Sequence, residues 1–280
     1  MIKQGLLEFW AFGLKQAWAC LFGGYLLALM LVSQYWYPFT TLHRYDFLFL
    51  AALAFQGLLL ALKLESPREA LVILVFHLVA TVMELFKTMD GINAWAYPGQ
   101  AALKLGNVPL FAGFMYSAVG SYIARVWRLF DFRFSHYPRR RWTLLLALLA
   151  YLNFFGHHYF WDLRWLLLGA VAALFWRVDI YFKVKTEHRR MPLLLGWLLV
   201  ALFIWFAENI ATYCKVWLYP NQVDGWQMVG IGKLGAWYLL MMLSFVLVSL
   251  IHRPQAPAKV KAALLSRLCG RFLPAGRRRP

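Results

Sequence analysis

The chain has 280 residues, of which 62% are hydrophobic and only 15% charged. A soluble domain carries about 25% charged and roughly 45–50% apolar residues, so an ordinary soluble fold is excluded. The net charge of +17 would suit a nucleic-acid binder. However, the basic residues flank apolar runs and are not interleaved with stacking aromatics on a soluble module, so no nucleic-acid partner is expected.

In chain order, residues 1–15 read as a short cytoplasmic segment. Eight apolar runs follow, at 16–35, 46–62, 69–86, 108–127, 142–160, 163–182, 191–213 and 231–251. Each approaches the length of about 20 residues that spans a bilayer as a helix. Lipid offers backbone groups no partner, so runs this long are read as helices. The expected fold is therefore an all-α integral membrane bundle of about eight transmembrane helices. Its first half covers 16–127, a basic loop covers 128–141, and its second half covers 142–251. Lys and Arg collect on one side, as in Arg139, Arg140, Arg141, Arg189 and Arg190, and this predicts that both termini are cytoplasmic in the cell membrane.

The tail, 252–280, is a separate segment. "KVKAALLSRLCGRF" can place Val260, Ala263, Leu264, Leu268 and Phe272 on or near one helical face amid Lys and Arg. That pattern suits a helix lying on anionic phospholipid; a disordered basic tail is the alternative. The first apolar run is of span length and no small-residue cleavage site clearly follows it, so no secretory leader is expected. Cys20, Cys214 and Cys269 fall at different depths, with no metal-type spacing and no disulfide expected.

The loops contain an internal echo. "WAYPGQ" (Trp95 to Gln100) and "WLYPNQ" (Trp217 to Gln222) align at an offset of 122, which also pairs Gly113 with Gly235 and Tyr116 with Tyr238. An offset of 124 pairs Glu84 with Glu208 and Thr88 with Thr212. Four runs separate the copies. An even number preserves chain direction, so the pattern predicts a parallel four-plus-four repeat about an axis along the membrane normal.

Ionisable groups inside spans are costly and mark functional sites that face the bundle interior. Glu84, Glu208 and His157 are candidates for acid–base work. Asn153, Tyr97, Tyr219 and Asn209 are candidate substrate contacts. His77, His157 and Asp162 combine imidazole and carboxylate, the ligand set of zinc or non-haem iron, so a divalent transition metal is the candidate cofactor. The spacings Glu84–Thr88 and Glu208–Thr212 predict a hydroxyl within reach of each carboxylate. By this topology Glu84, Glu208, Asn153, His157, His158 and Asp162 fall in the outer half of the bilayer, with His77 nearer the middle, and the inner half is expected to be poor in buried charge. The bland readings are hydrogen-bonded packing for the two Glu residues and an interfacial belt for the loop aromatics.

"FHLVATVMELFK", "VPLFAGFMYSAVGSYIAR", "NFFGHHYFWDLRWLL" and "AENIATYCKVWLYPNQVDGW" together resemble the YoaT-like family of bacterial integral membrane proteins (domain of unknown function 817). The resemblance runs from about residue 16 to 250. It implies a multi-span bacterial membrane protein and assigns no catalytic residues.

Two function classes follow. One is an intramembrane enzyme acting on a lipid or isoprenoid, by a metal or by acid–base chemistry; the one-sided polar distribution favours it. The other is a proton- or cation-coupled transporter of small solutes, favoured by the repeat. Membrane lipids are the expected partners in either case.

Overall fold

The computed structural model describes residues 2–257, so the tail helix expected near residue 260 and Cys269 lie outside the described residues. The chain is predominantly helical: α1 (Ile2–Ala19), α2 (Leu21–Tyr35), α3 (Arg44–Ala61), α4 (Pro67–Thr88), α5 (Ala112–Leu129), α6 (Arg140–Gly156), α7 (Arg164–Phe175), α8 (Leu193–Tyr213) and α9 (Lys233–Ser249). Helices α2 to α9 overlap the eight apolar runs. Residues 2–15 fall inside α1, which meets α2 at a 70° bend.

Length and composition alone qualify α3, α4 and α8 to cross a membrane, with α1 and α2 a fourth if the bent pair counts as one span. The others depart from the expected runs. Helix α7 has 12 residues, about 18 Å of rise, and the run expected at 163–182 ends instead in a strand. Helix α5 interrupts its apolar face with Ser117, Ser121, Arg125 and Arg128.

Local chemistry sets the helix ends. Ser66 caps α4: its Oγ accepts from the Glu69 N–H at 3.3 Å, while the Ser66 N–H donates to Glu69 Oε2 at 2.7 Å, with Pro67 at the first helical position. The helix is apolar on more than one side. Val72, Ile73, Phe76, Ala80 and Met83 are buried, whereas Leu71, Leu74, Leu78 and Val82 are exposed. Apolar residues all round a helix mark burial or membrane contact, and α4 has only part of its surface covered by protein. The several apolar helices therefore fit membrane association.

The core has two main parts. Trp127, Phe134, Phe175, Trp197 and Phe245 join α5 to α7, α8 and α9. Phe22, Leu48, Phe111 and Phe114 join α2, α3 and α5. Beyond the Pro67 end of α4, an antiparallel sheet forms from β3 (Arg133–Phe134), β4 (Asp179–Lys183) and β5 (His188–Pro192), with Phe134 opposite Ile180 and Tyr181 opposite Arg190. The Lys15 Nζ of α1 donates to the Leu129 and Lys183 carbonyls, at 3.0 and 3.2 Å.

This end carries the charge that the sequence pattern placed in loops. Arg125 is buried within α5 and its Nη2 lies 2.7 Å from Glu65 Oε1; the two side chains are 1% and 3% exposed. Ser121 Oγ and Gln56 Nε2 also donate to Glu65, each at 2.5 Å. Glu69 pairs with Arg128 at 3.0 Å. The expectation of a half poor in buried charge is thus corrected. Arg125 falls at the very end of the apolar run 108–127, and its partner Glu65 lies outside every apolar run.

Candidate functional site

At the far end of α4 the chain turns out of the helix at Thr88 and returns through the Trp95–Gln100 loop. Two further strands, β1 (Lys104–Leu105) and β2 (Val108–Pro109), lead it into α5. Glu84, one turn before the helix ends, is 1% exposed. It accepts three hydrogen bonds: from Trp95 Nε1 at 2.8 Å, Tyr97 Oη at 2.8 Å and Tyr116 Oη at 2.7 Å. Glu208, 2% exposed on α8, accepts from Tyr219 Oη at 2.5 Å and Trp237 Nε1 at 2.6 Å. A buried carboxylate is tolerated only where donors replace its water, and these five supply that replacement.

The two loops meet directly. Ala96 N–H donates to the Leu218 carbonyl and Leu218 N–H to the Ala96 carbonyl, both at 2.9 Å, as an isolated antiparallel bridge. Trp95 packs edge-on to Tyr219 at 6.3 Å. Burial, and after it the charge of the neighbouring carboxylates, holds the Tyr97 and Tyr219 phenols well above the ordinary value, so both remain donors. A cavity of about 190 Å³ opens beside Tyr97, with Tyr45, Asn93, Lys104 and Asn107 in its wall.

Neither threonine reaches its carboxylate. Thr88 Oγ1 donates to the Glu84 carbonyl at 2.8 Å and Thr212 Oγ1 to the Asn209 carbonyl at 3.2 Å. Bonding back along the helix competes successfully with the side-chain pairing that the spacing allows. Asn209 holds the second loop: its Oδ1 accepts from Val229 N–H at 2.8 Å and its Nδ2 donates to the Trp205 carbonyl at 2.8 Å. Gln222 folds the same loop through the Tyr219 N–H and the Gln227 carbonyl.

A basic cluster adjoins Glu84. Lys87, 4% exposed, places Nζ 3.3 Å from His157 Nε2 and 2.7 Å from His158 Nε2. His157 Nδ1 lies 2.8 Å from the Asn153 carbonyl. A carbonyl only accepts, so Nδ1 carries the proton and Nε2 presents a lone pair to the Lys87 ammonium. Asn153 Nδ2 donates to Asp162 Oδ1 at 3.2 Å, and Asp162 pairs with Arg164 at 3.2 Å. Burial pushes the Asp162 carboxyl up, but the Asn153 amide and the N–H and charge of Arg164 outweigh it and hold the group below its ordinary value. Arg164 Nη1 reaches the Gly232 carbonyl at 3.4 Å, and Lys233 Nζ lies 4.0 Å from the centre of the Tyr219 ring. Hydrogen bonds and contacts run from Lys87 through His157, Asn153, Asp162 and Arg164 to the Gly232 carbonyl, and the adjacent Lys233 leads on to Tyr219 and Glu208.

His77 stands apart. Its ring packs 4.9 Å from Phe114 and lies over Gly113, where an added Cβ would fall 2.3 Å from Nδ1. That nitrogen is buried without a hydrogen-bond partner. His77, His157 and Asp162 do not converge: among the described residues no three His, Cys, Asp or Glu side chains gather as a metal-binding group. Three contributors escaped the sequence pattern. Tyr116 belongs to the 122-residue offset but lies within an apolar run, away from the loop motif, and Trp237 sits one position away from that register. Lys87 carried a signal in its spacing, one helical turn beyond Glu84.

A family described as "Protein of unknown function (DUF817)" matches residues 8–245. The "Uncharacterized protein YoaT" of Bacillus subtilis (strain 168) is 38% identical over 253 residues, covering 90% of this chain and 95% of the relative. No solved structure matches. The long match through both carboxylates and both loops makes this chain a YoaT-like member of the DUF817 family.

Proposed function

We propose that the protein is a multi-pass carrier of the cytoplasmic membrane that couples movement of a small solute to protonation of Glu84 and Glu208. The observation that carries this reading is the matched pair of carboxylate cages. Each Glu lies near the end of a long apolar helix and is bound by the Tyr of its own Trp-x-Tyr-Pro loop. The loops join at Ala96 and Leu218, residues that the 122-residue offset makes equivalent. Such self-pairing supports a local two-fold relation, and two like halves about a central site are a design of carriers. The duplicated cages favour the carrier over a lipid- or isoprenoid-modifying enzyme.

Neither carboxylate has a cationic side chain within ion-pair distance among the described residues. Each is held by neutral donors, so a proton can bind without breaking a direct ion pair. The orientation in this proposal places the Trp-x-Tyr loops outside and both termini inside, as the positive-inside pattern directs.

Infrared pH titration of the protein in lipid tests the reading. Two protonated-carboxyl signals are expected to grow as pH falls, one lost in Glu84→Gln and the other in Glu208→Gln. If neither substitution removes a titrating signal, the carboxylates are fixed structural acceptors and the carrier reading fails.

A further inference from the structure

The proton site has a basic neighbour that the carrier reading alone does not use. Three cations come together from three helices at the loop end: Lys87 near the end of α4, Arg164 at the start of α7 and Lys233 at the start of α9. Arg164 reaches the carbonyl of Gly232, the residue before Lys233, and its partner Asp162 is bonded to Asn153, whose carbonyl orients the His157 ring that meets Lys87. Arg164 pairs with Asp162, but neither Lys87 nor Lys233 has a carboxylate within ion-pair distance among the described residues. Lys87 is met by two imidazole nitrogens, and Lys233 lies over a tyrosine ring. Two of the cations also oppose the backbone field. Arg164 and Lys233 each occupy the first residue of a helix of 12 or 17 residues, where the dipole is positive. Neither helix start has a side-chain cap. Lys87 and Lys233 are therefore balanced only from beyond direct contact, by Glu84 and Glu208.

We infer that a small oxyanion, a carboxylate or phosphate, binds among Lys87, Arg164 and Lys233 when Glu84 and Glu208 carry protons. This inference rests on the proposed proton site and names its co-substrate. With both Glu residues ionised, the three cations face three carboxylates, counting Asp162, and the cluster is neutral. With both protonated, only Asp162 remains and the cluster carries a double positive charge. Proton and anion then enter together, which is the stoichiometric logic of symport. Other groups facing the cluster are His157 and His158 at the end of α6, with Tyr97, Tyr116 and Tyr219 around the carboxylates. The phenols stay neutral as donors. Protonation of either imidazole adds positive charge and acts in the same direction. Arg164 and both histidines are half-buried, which leaves an approach from the loop face.

Binding of acetate and of inorganic phosphate to the full chain in lipid nanodiscs, by calorimetry at constant ionic strength, tests this. At least one of the two should bind about tenfold or more tightly at pH 6 than at pH 8, because neutralising each nearby carboxylate removes a repulsion in a low-dielectric site. Glu84→Gln with Glu208→Gln should give tight binding at both pH values. Lys87→Gln should abolish binding, and Arg164→Gln should weaken it at least tenfold. Absence of binding by both anions, equal affinity at the two pH values, or indifference to both basic substitutions would overturn the inference. The infrared titration reads the proton site independently. Titrating carboxylates without anion binding remove only the anion, whereas anion binding without titrating carboxylates removes the carrier reading on which the coupling rests.

Discussion

Arg125→Met isolates an ion pair at the Pro67 end that is buried on both sides. Arg125 and Glu65 are 1% and 3% exposed, so neither keeps bulk water as a partner. Removing the guanidinium leaves the Glu65 carboxylate with only the Ser121 hydroxyl and Gln56 amide as donors. Breaking one side of a buried pair costs about 3–5 kcal/mol, because the remaining charge stays desolvated. Replacing both members with uncharged residues of similar volume is often neutral. The double variant Arg125→Met with Glu65→Gln should therefore recover most of the loss, since Gln can still bond to Ser121 and Gln56. Reversible unfolding of the detergent-solubilised protein, followed by tryptophan fluorescence, measures all three variants. At about 1.4 kcal/mol per factor of ten, the single variant should shift the unfolding equilibrium on the order of 100-fold or more. A loss below about 1 kcal/mol would refute the reasoning and mean that the pair is hydrated; equal loss in single and double variants would mean that Arg125 acts by packing.

Two further outcomes are expected. Gly113→Ala places a Cβ 2.3 Å from His77 Nδ1, so it should cost about 1–3 kcal/mol in the same unfolding assay. His77→Ala in the same chain should restore stability, and failure to do so would show that the ring is not what fills that space. In intact cells, single cysteines at Gly99 and Asn221 should react with an impermeant thiol reagent while one at Arg140 should not; labelling at Arg140 reverses the proposed orientation.

The helical architecture was legible because the lipid requirement writes itself into long apolar runs, and α2 to α9 follow those runs. The ends were less legible. Asp179–Lys183 reads as the tail of an apolar stretch, yet its pairing with Arg133–Phe134 and His188–Pro192 makes it a strand, and no window of local sequence contains those partners. At the site, the two Glu residues announced themselves as charges within spans, and the matching loops pointed to their importance. The repeat register did not reveal that the loop aromatics bind those carboxylates. A Trp at a span end reads as an interfacial anchor, and only the chain reversal after Thr88 turns Trp95 back onto Glu84. Spacing misled for Thr88 and Thr212, because the helix's own carbonyls are always within reach. Arg125 was hidden for a similar reason: a positive residue at the end of an apolar run is expected in water, and Glu65 meets it from outside the helix.

The cages bear on how such a chain is made. Every donor to Glu84 lies within 32 residues of it, and every donor to Glu208 within 29. Each half can thus shield its own carboxylate as soon as its helix pair leaves the ribosome, before the other half has been synthesised. The Ala96–Leu218 bridge and the Lys87–His157 contact form only when the second half arrives. The carboxylates gain their hydrogen-bond donors locally and early, while the contacts that unite the two segments come late, an order that spares a nascent chain from holding an unsolvated carboxylate while it waits for a distant partner.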